Sequence, residues 1–241
     1  AACEYGGDKG IFGYGYTGSN TNVTNLVSNA GVVTSDVAGV GTARRAGAAC
    51  SYGEDKGIFG YGYGSGAASM TNLVSNAGVV ASDTTGVGTA RYGPAACEYG
   101  EDKGIFGFGN GPVSMTNLVS NAGVVASDTT GVGTARYGPA ACGYGGDKGI
   151  FGFGSSADSN PVSMTNLVSN AGVVASDVTG VGTARWYIAA TQYGGGKGIF
   201  GFGTTGSVIA VTNLVSSSGV VATDVTGVGT ARQDLAACSF N

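Results

Sequence analysis

Small and hydrophobic residues occur in short alternating runs along the whole chain, and no run has the four-residue spacing of an amphipathic helix. Within residues 95–139, the runs 95–100, 103–109, 114–119 and 124–127 predict four short strands, which we label A, B, C and D. A turn rich in Asn and Gly, of the kind that favours hairpins, lies between C and D. Short strands separated by such frequent turn signals are typical of an antiparallel meander.

The same four-strand pattern recurs five times, and each copy carries the marker Lys-Gly-Ile-Phe-Gly. The marker lysines lie 47, 47, 45 and 49 residues apart, at Lys9, Lys56, Lys103, Lys148 and Lys197. This period indicates a repeat architecture, in which each copy packs against its neighbours. We therefore expect a single repeat domain, 1–241. Its repeats 1 to 5 are approximately 1–47, 48–94, 95–139, 140–188 and 189–235, and 236–241 is a partial sixth copy or a closing strand.

Strand B suggests how the copies stack. Along residues 56–64 the side chains should alternate between two faces. Phe59, Tyr61 and Tyr63 would occupy one face, and the opposite face would consist largely of glycine. Glycine weakens an isolated strand, so its recurrence at the same register predicts close approach of a neighbour. Each copy would then lay aromatic rings on the glycine face of the next.

Four-stranded antiparallel sheets repeated around an axis form a β-propeller. The expected fold class is therefore all-β: a propeller of four-stranded blades, five repeats of about 47 residues, and a surplus C-terminal strand. Strand A occurs six times, whereas strands B, C and D occur five times. The surplus strand could hang free, lead into further chain, or pair with a neighbouring molecule and build a filament.

Composition and charge exclude several classes of protein and partner. Glycine supplies 48 of 241 residues without a Gly-X-Y period, which excludes collagen. The net charge is −4 and the one basic pair is Arg44-Arg45, so nucleic acid is not an expected partner. No apolar run reaches about 18 residues, so membrane insertion is not expected. The expected partners are glycans or copies of the chain itself.

The five cysteines occupy one repeat position. They are Cys3, Cys50, Cys97, Cys142 and, in the partial copy, Cys238. Equivalent positions in different copies favour small buried residues over a disulfide framework. The chain has no His and no Cys-x-x-Cys pair, so a zinc site is not expected, and we predict no metal or cofactor.

Most charged residues recur with the repeat. Each copy has a linker Arg and an Asp after strand D, which we expect to bond to each other or to turn and linker backbone. Adjacent Asp-Lys pairs in the A–B turns are the candidate ligand-binding residues: Asp8, Lys9, Asp55, Lys56, Asp102, Lys103, Asp147 and Lys148. Equivalent pockets near aromatic residues would suit multivalent sugar binding, as in a propeller lectin. Asn22 begins the one Asn-x-Ser/Thr sequon and is a candidate glycosylation site.

No catalytic residues are predicted. Without His, no triad based on His can form, and the Gly-x-Ser-x-Gly motif is absent. Two Gly-x-Gly-x-x-Gly matches, 13–18 and 201–206, do not open a helix, so they do not predict a dinucleotide site. Near identity between copies also argues against a unique active site. We expect a protein that is not an enzyme.

The repeat resembles kelch-type propeller repeats. The resemblance lies in the linker 91–96, with its Arg and small residues, and in the glycine-flanked strand 103–109. The kelch double glycine is replaced here by Gly-aromatic-Gly, and the Trp of the outer kelch strand is absent. The chain is also similar to repetitive proteins encoded by tailed phages of aquatic bacteria, which implies a location on a virion or another extracellular surface.

The expected function is therefore a structural or binding module, without enzymatic activity, on a surface, fibre or virion. Two alternatives stay open. One is a multivalent carbohydrate-binding propeller. The other is a filament subunit assembled by exchange of the surplus strand A.

Overall fold

A computed structural model describes residues 1–239 as an all-β chain with fifteen strands, and none of these residues is helical. No helix in this range could therefore span a membrane. Three strands from each repeat form one antiparallel sheet, with the strands in chain order. The sheets contain β1 to β3 (Ala2–Tyr5, Lys9–Tyr16, Asn20–Val27), β4 to β6 (Ala48–Tyr52, Lys56–Tyr63, Ala67–Val74), β7 to β9 (Ala95–Tyr99, Lys103–Gly107, Thr116–Val119), β10 to β12 (Ala140–Tyr144, Lys148–Gly152, Thr165–Val168) and β13 to β15 (Ala189–Tyr193, Lys197–Gly201, Thr212–Val215).

The predicted strands A, B and C are confirmed in every repeat, with bounds that differ by a few residues. In repeat 3, Cys97 of β7 lies opposite Ile105 of β8, and Ile105 lies opposite Leu118 of β9. Small and apolar residues at matching positions bring these three side chains to one face of the sheet. The alternation in the sequence therefore sets the register.

The predicted strand D does not form a continuous strand. In repeat 3 this region is joined to β9 by two isolated bridges, Val119 to Val125 within the predicted strand and Thr116 to Thr129 in the link that follows it. The bridges differ in register by one residue, which is the mark of a bulge. The Asn117 side chain lies beside this bulge and donates hydrogen bonds to Ala126 O at 3.0 Å and to the Asp128 carboxylate at 2.9 Å. The Asn117 side chain thus bonds the Ala126 carbonyl, which a continuous strand ladder would use.

Successive sheets pack face to face, and the predicted contact between aromatic ring and glycine is confirmed for the marker phenylalanine. A Cβ placed on Gly13 would lie 2.8 Å from Cζ of Phe59, and one on Gly60 would lie 2.7 Å from Cζ of Phe106. Only glycine leaves room for the ring at this distance. Phe59 and Phe106 are at most 1% exposed as a result.

The prediction that Tyr61 shares a face with Phe59 is wrong. The register of β5 with β6 shifts between Gly60 and Gly62, and Tyr61 has a φ of 59°. This left-handed conformation turns the Tyr61 side chain to the opposite face. Its ring meets Phe106 of repeat 3 edge-on, with centroids 5.1 Å apart, whereas Phe59 packs against repeat 1. The aromatic residues of strand B in repeat 2 therefore pack against both neighbouring repeats, 1 and 3.

The first strands of successive sheets lie beside one another: β1 beside β4, β4 beside β7, β7 beside β10, and β10 beside β13. A narrow channel of about 70 Å³ is bounded by all five of these strands and also by residues 237–239. The surplus segment 236–239, which we call the sixth inner segment, therefore lies beside the first strands rather than away from the fold. Residues 240 and 241 of the predicted partial copy are outside the described residues.

Candidate functional site

A cavity of about 1000 Å³ opens where the linkers meet the starts of the first strands. Every repeat contributes to its wall, and so do residues 234–237. Most of the lining residues are Ala and Gly, so the backbone of several repeats borders one shared space. Concave spaces of this size are the usual seats of small ligands. We take this axial cavity as the candidate binding site.

Six tyrosines and Phe12 give the axial cavity its aromatic character, and the tyrosines are Tyr14, Tyr16, Tyr63, Tyr92, Tyr137 and Tyr187. Tyr63 meets Tyr92 edge-on with centroids 5.2 Å apart, and Tyr137 meets Tyr187 at 6.2 Å. A tyrosine offers an apolar ring face and a hydroxyl that can donate or accept a hydrogen bond. The wall therefore suits a ligand that has both apolar faces and hydroxyl groups.

Trp186 contacts the tyrosines of this wall and can report on them by its fluorescence. Its indole stacks on Tyr137 with centroids 5.7 Å apart and an interplanar angle of 29°. It also contacts the neighbouring Tyr187, at 6.0 Å. Trp186 is the only tryptophan of the chain. Its fluorescence should therefore respond to a ligand that contacts the tyrosines.

The narrow channel lies further along the same first strands and carries acidic groups. Gln192 Nε2 donates to Glu98 Oε1 at 2.9 Å. Burial raises the pKa of Glu98. Burial, together with the charges of Glu98 and Asp8, raises the pKa of Glu4 to about 7. Glu4 is thus a carboxyl group that titrates near neutral pH.

The linker arginines join each repeat to the next. Arg44 of repeat 1 is 2% exposed, and its guanidinium donates to Tyr61 O at 2.8 Å and to Asn72 Oδ1 at 2.6 Å in repeat 2. Its Nη1 lies 3.8 Å from the Asp83 carboxylate. These contacts hold a buried charge in place, so the linker Arg is a structural residue. The same pairing with Asn and Asp recurs at Arg91 and Arg136, and Arg185 keeps the bond to Asn, with Nη2 donating to Asn213 Oδ1.

The predicted Asp-Lys turn pairs are ion pairs within each turn. Nζ of Lys lies between 2.5 and 3.1 Å from the Asp carboxylate in the pairs Asp8-Lys9, Asp55-Lys56, Asp102-Lys103 and Asp147-Lys148. The second carboxylate oxygen accepts a hydrogen bond from the C–D turn, as Asp8 does from Asn29 at 2.9 Å. Hydrogen bonds from Lys9 and Asn29 lower the pKa of Asp8. The structure therefore brings each Asp to its own Lys and Asn, and neighbouring turns are joined through the backbone, as Gly6 N donates to Asp55 O at 2.7 Å.

The candidate glycosylation residue, Asn22, lies in β3. Its Nδ2 donates to Gly41 O at 2.6 Å. A Cβ placed on Gly39 would also meet the Asn22 side chain, so the amide is closely surrounded. In this conformation the amide nitrogen bonds within the fold.

The described cysteines are all free thiols, and four of them are buried. Cys3 of repeat 1 lies over Gly57 of repeat 2, where an added Cβ would be 2.6 Å from its Sγ. The same contact follows for Cys50, Cys97 and Cys142. Burial raises the pKa of Cys3 to about 12, so the thiol is protonated at neutral pH and unreactive. The prediction of small buried residues at this repeat position is confirmed for these four.

The axial tyrosines were not predicted as a site. Only Tyr92 and Tyr137 share a sequence signal, a tyrosine directly after the linker Arg followed by Gly-Pro and the Ala-Ala-Cys strand, in 91–94 and in 136–139. Linkers from separate repeats meet only because the first strands converge, and this convergence cannot be read from one repeat.

In comparisons with known proteins, no protein-family model and no curated protein matches the chain. The assignment of function therefore rests on the axial cavity and its surroundings.

Proposed function

We propose that the chain is a binding module without enzymatic activity, built as a β-propeller of the kelch-like kind. In this interpretation each three-stranded sheet, with its bridged D segment as an irregular fourth strand, is a blade. The support is the convergence of the first strands on one channel and the face-to-face packing of successive sheets. Radial repetition of this kind leaves only short sheet edges.

The observation that carries the binding role is the axial cavity of about 1000 Å³ with its wall of tyrosines. We assign it a neutral carbohydrate, because sugars present apolar C–H faces to aromatic rings and hydroxyl groups to polar tips. The Asp-Lys turn pairs are the weaker candidate, since their groups already bond to one another. The module would act on a surface, fibre or virion, in keeping with the resemblance to phage repeat proteins.

A fluorescence titration tests this proposal. Neutral oligosaccharides, up to millimolar concentration, should change the emission of Trp186 in a saturable way. Tyr92→Ala removes a cavity wall and should weaken binding about tenfold, equivalent to ~1.4 kcal/mol. Tyr193→Ala is the matched control, because Tyr193 is exposed and lies outside the cavity lining. It should leave the affinity unchanged.

Two results would contradict the proposal. Absence of binding by both fluorescence and calorimetry over a panel of neutral sugars would remove the carbohydrate assignment. Turnover of any of these sugars by the purified chain would remove the non-enzymatic assignment.

A further inference from the structure

Four interfaces join repeat 1 to 2, 2 to 3, 3 to 4 and 4 to 5, and all four are built in the same way. The marker Phe of the later repeat covers a glycine of the earlier one, as Phe106 covers Gly60. The strand-A Tyr and strand-C Leu of the earlier repeat contact a glycine in the C–D turn of the later one, as Tyr52 and Leu73 contact Gly123. The linker Arg of the earlier repeat donates to an Asn of the later one at all four interfaces, and at the first three it also pairs with an Asp.

The face of repeat 5 that points away from repeat 4 carries the groups that an earlier repeat contributes to such an interface: the strand-A Tyr, the strand-C Leu, the strand-B glycine and the linker Arg. No later repeat covers these groups among the described residues. Tyr193 is 38% exposed, whereas its four equivalents are 4 to 5% exposed. Leu214 is 38% exposed as well. A Cβ placed on Gly201 would meet only Thr212 among the described residues, and no phenyl ring covers this glycine. Arg232 is exposed and bonds to Thr230 O of its own linker.

The face of repeat 1 that points away from repeat 2 carries the groups that a later repeat contributes: the marker Phe, the glycine of the C–D turn, and the Asp. Phe12 is 37% exposed, whereas Phe59 is 1% exposed. Gly31, the equivalent of Gly123, has no described atom within 4 Å of an added Cβ. Asp36 accepts from Asn25 of its own repeat and pairs with no Arg among residues 1–239. Repeat 5 and repeat 1 thus carry complementary faces that do not meet, and we call the space between them the seam.

The sixth inner segment, 236–239, occupies the inner end of the seam. A chain of backbone hydrogen bonds links the linkers of successive repeats, and it continues from Tyr187 to Asp234 with N···O of 3.1 Å. At its other side the segment approaches repeat 1, since residues 237–239 border the narrow channel together with Ala2, Cys3 and Glu4. Six inner segments therefore surround the channel, and five of them belong to complete repeats.

We propose that the seam is the binding site for the B, C and D strands of a sixth repeat of the same pattern, continuing from the sixth inner segment. Its marker Phe would cover Gly201, its glycine would receive Phe12, and its Asp and Asn would engage Arg232. The argument is continuity with the four existing interfaces, each of which buries the groups that the seam exposes. This inference does not depend on the ligand of the axial cavity, although the two spaces adjoin, because Phe12 lines the cavity as well as the seam.

A second copy of the chain is the less suitable occupant. It would have to bring its own first strand, Ala2–Tyr5, to the inner position that 236–239 already holds. Docking of a second copy would therefore require the sixth inner segment to leave its place.

An extended chain tests the proposal. Residues 236–239 and 48–51 both read Ala-Ala-Cys-Ser, so a duplicate of residues 52–93 can follow Ser239 in the sequence context of repeat 2. We expect the Tm to rise by roughly 5 °C or more, because the seam becomes buried. The control is the same extension in which the copy of Phe59 in the duplicate is changed to Ser. The Tm of this control should rise markedly less than that of the unmodified extension. An unchanged Tm with the unmodified extension would overturn the proposal.

Gly201→Val provides an independent measurement. In the chain as it stands, this change should leave the Tm nearly unchanged, because no ring covers Gly201. In the extended chain it should lower the Tm, because the new Phe would lie against the added side chain. Equal effects in both backgrounds would contradict the proposal.

A peptide of residues 52–93, added to the unextended chain, covers the case in which the extension does not fold. It should raise the Tm with increasing concentration, and a scrambled peptide should not. If the Tm rises neither with the fused extension nor with the free peptide, the proposal is overturned. Concentration-dependent dimers or filaments of the unextended chain, abolished by Phe12→Ser, would overturn it in favour of a second copy.

Discussion

The interface between repeats 2 and 3 and the seam between repeats 5 and 1 consist of the same residue types, yet only the first is a packed core. At the packed interface Phe106 lies on Gly60, and Arg91 is buried against Asn117 and Asp128. At the seam Phe12 and Arg232 are exposed. The contribution of each residue to stability is therefore set by its neighbour rather than by its own sheet.

This comparison has a general consequence for repeat proteins. Stability is approximately a sum of terms within repeats and terms between neighbouring repeats. Here the same substitution can be made in a position that has a neighbour and in one that has none. The difference between the two measurements isolates the term between repeats.

The largest effect is expected for the marker phenylalanine. Phe106→Ala removes a fully buried ring and leaves the glycine surface of repeat 2 uncovered, so it should lower the free energy of unfolding by about 3–5 kcal/mol. Phe12→Ala, at the seam, should cost only about 1 kcal/mol, because part of that ring is already in water. Urea unfolding of the two variants measures both values. Equal losses would show that the seam is filled in solution.

The linker arginine should give the next largest effect. Arg91→Ala leaves Asn117 and Asp128 without their cationic partner inside a packed interface, and we expect a loss of about 3 kcal/mol. Arg232→Ala should cost only about 0.5–1 kcal/mol, because Arg232 is exposed and its guanidinium stacks on the Phe202 ring of its own repeat, with Cζ 3.9 Å from the ring centroid. The Tm of each variant by calorimetry separates the two cases. A loss as large as that of Arg91→Ala would mean that the Arg232 side chain has a further partner in solution, besides Thr230 O and the Phe202 ring.

The glycine under the ring should give a smaller effect. Gly60→Val places a side chain where Phe106 lies 2.7 Å from the Cβ position, and overpacking should cost about 1–3 kcal/mol. Gly201→Val is its counterpart at the seam and lacks the ring, so thermal unfolding should show a much smaller change. An unchanged Tm for Gly60→Val would contradict the assignment of the packed faces.

Much of this arrangement could be predicted from the sequence, because alternation and turn residues act locally. Strands A, B and C, the stacking of the marker Phe on glycine, and the burial of the cysteines follow from short-range patterns. The face of Tyr61 could not be predicted, because alternation assumes a regular strand, and Tyr61 adopts a φ of 59° beside a bulge. The sequence of one strand does not show such a reversal.

The sixth inner position and the axial cavity lay beyond prediction for a different reason. Both depend on the angle between successive repeats, and this angle arises from packing between sheets rather than from any one segment. The sequence shows six copies of Ala-Ala-Cys or a close variant. It does not show whether five or six of them surround one axis, so the tyrosines of separate linkers could not be placed in one wall.

The smallest expected effect concerns the acidic residue of the narrow channel. Glu4 of repeat 1 and Glu98 of repeat 3 share a repeat position, but Glu98 accepts a hydrogen bond from Gln192. The pKa of Glu4 is raised from 4.5 to about 7, mainly by burial. A raised pKa means that the folded chain holds a proton that the unfolded chain releases. Glu4 therefore stabilises the fold most at pH values below its unfolded pKa, and this contribution is lost as the pH rises towards 7.

Glu4→Gln keeps the shape of the side chain and removes its titration. The Tm of the unmodified chain should fall between pH 5 and pH 7.5, and that of Glu4→Gln should fall less over the same range. Glu98→Gln is the matched variant at an interior repeat, where the bond from Gln192 partly offsets the effect of burial on the carboxylate. Its pH profile should therefore change less than that of Glu4→Gln. Identical profiles for the unmodified chain and Glu4→Gln would show that Glu4 is hydrated in solution.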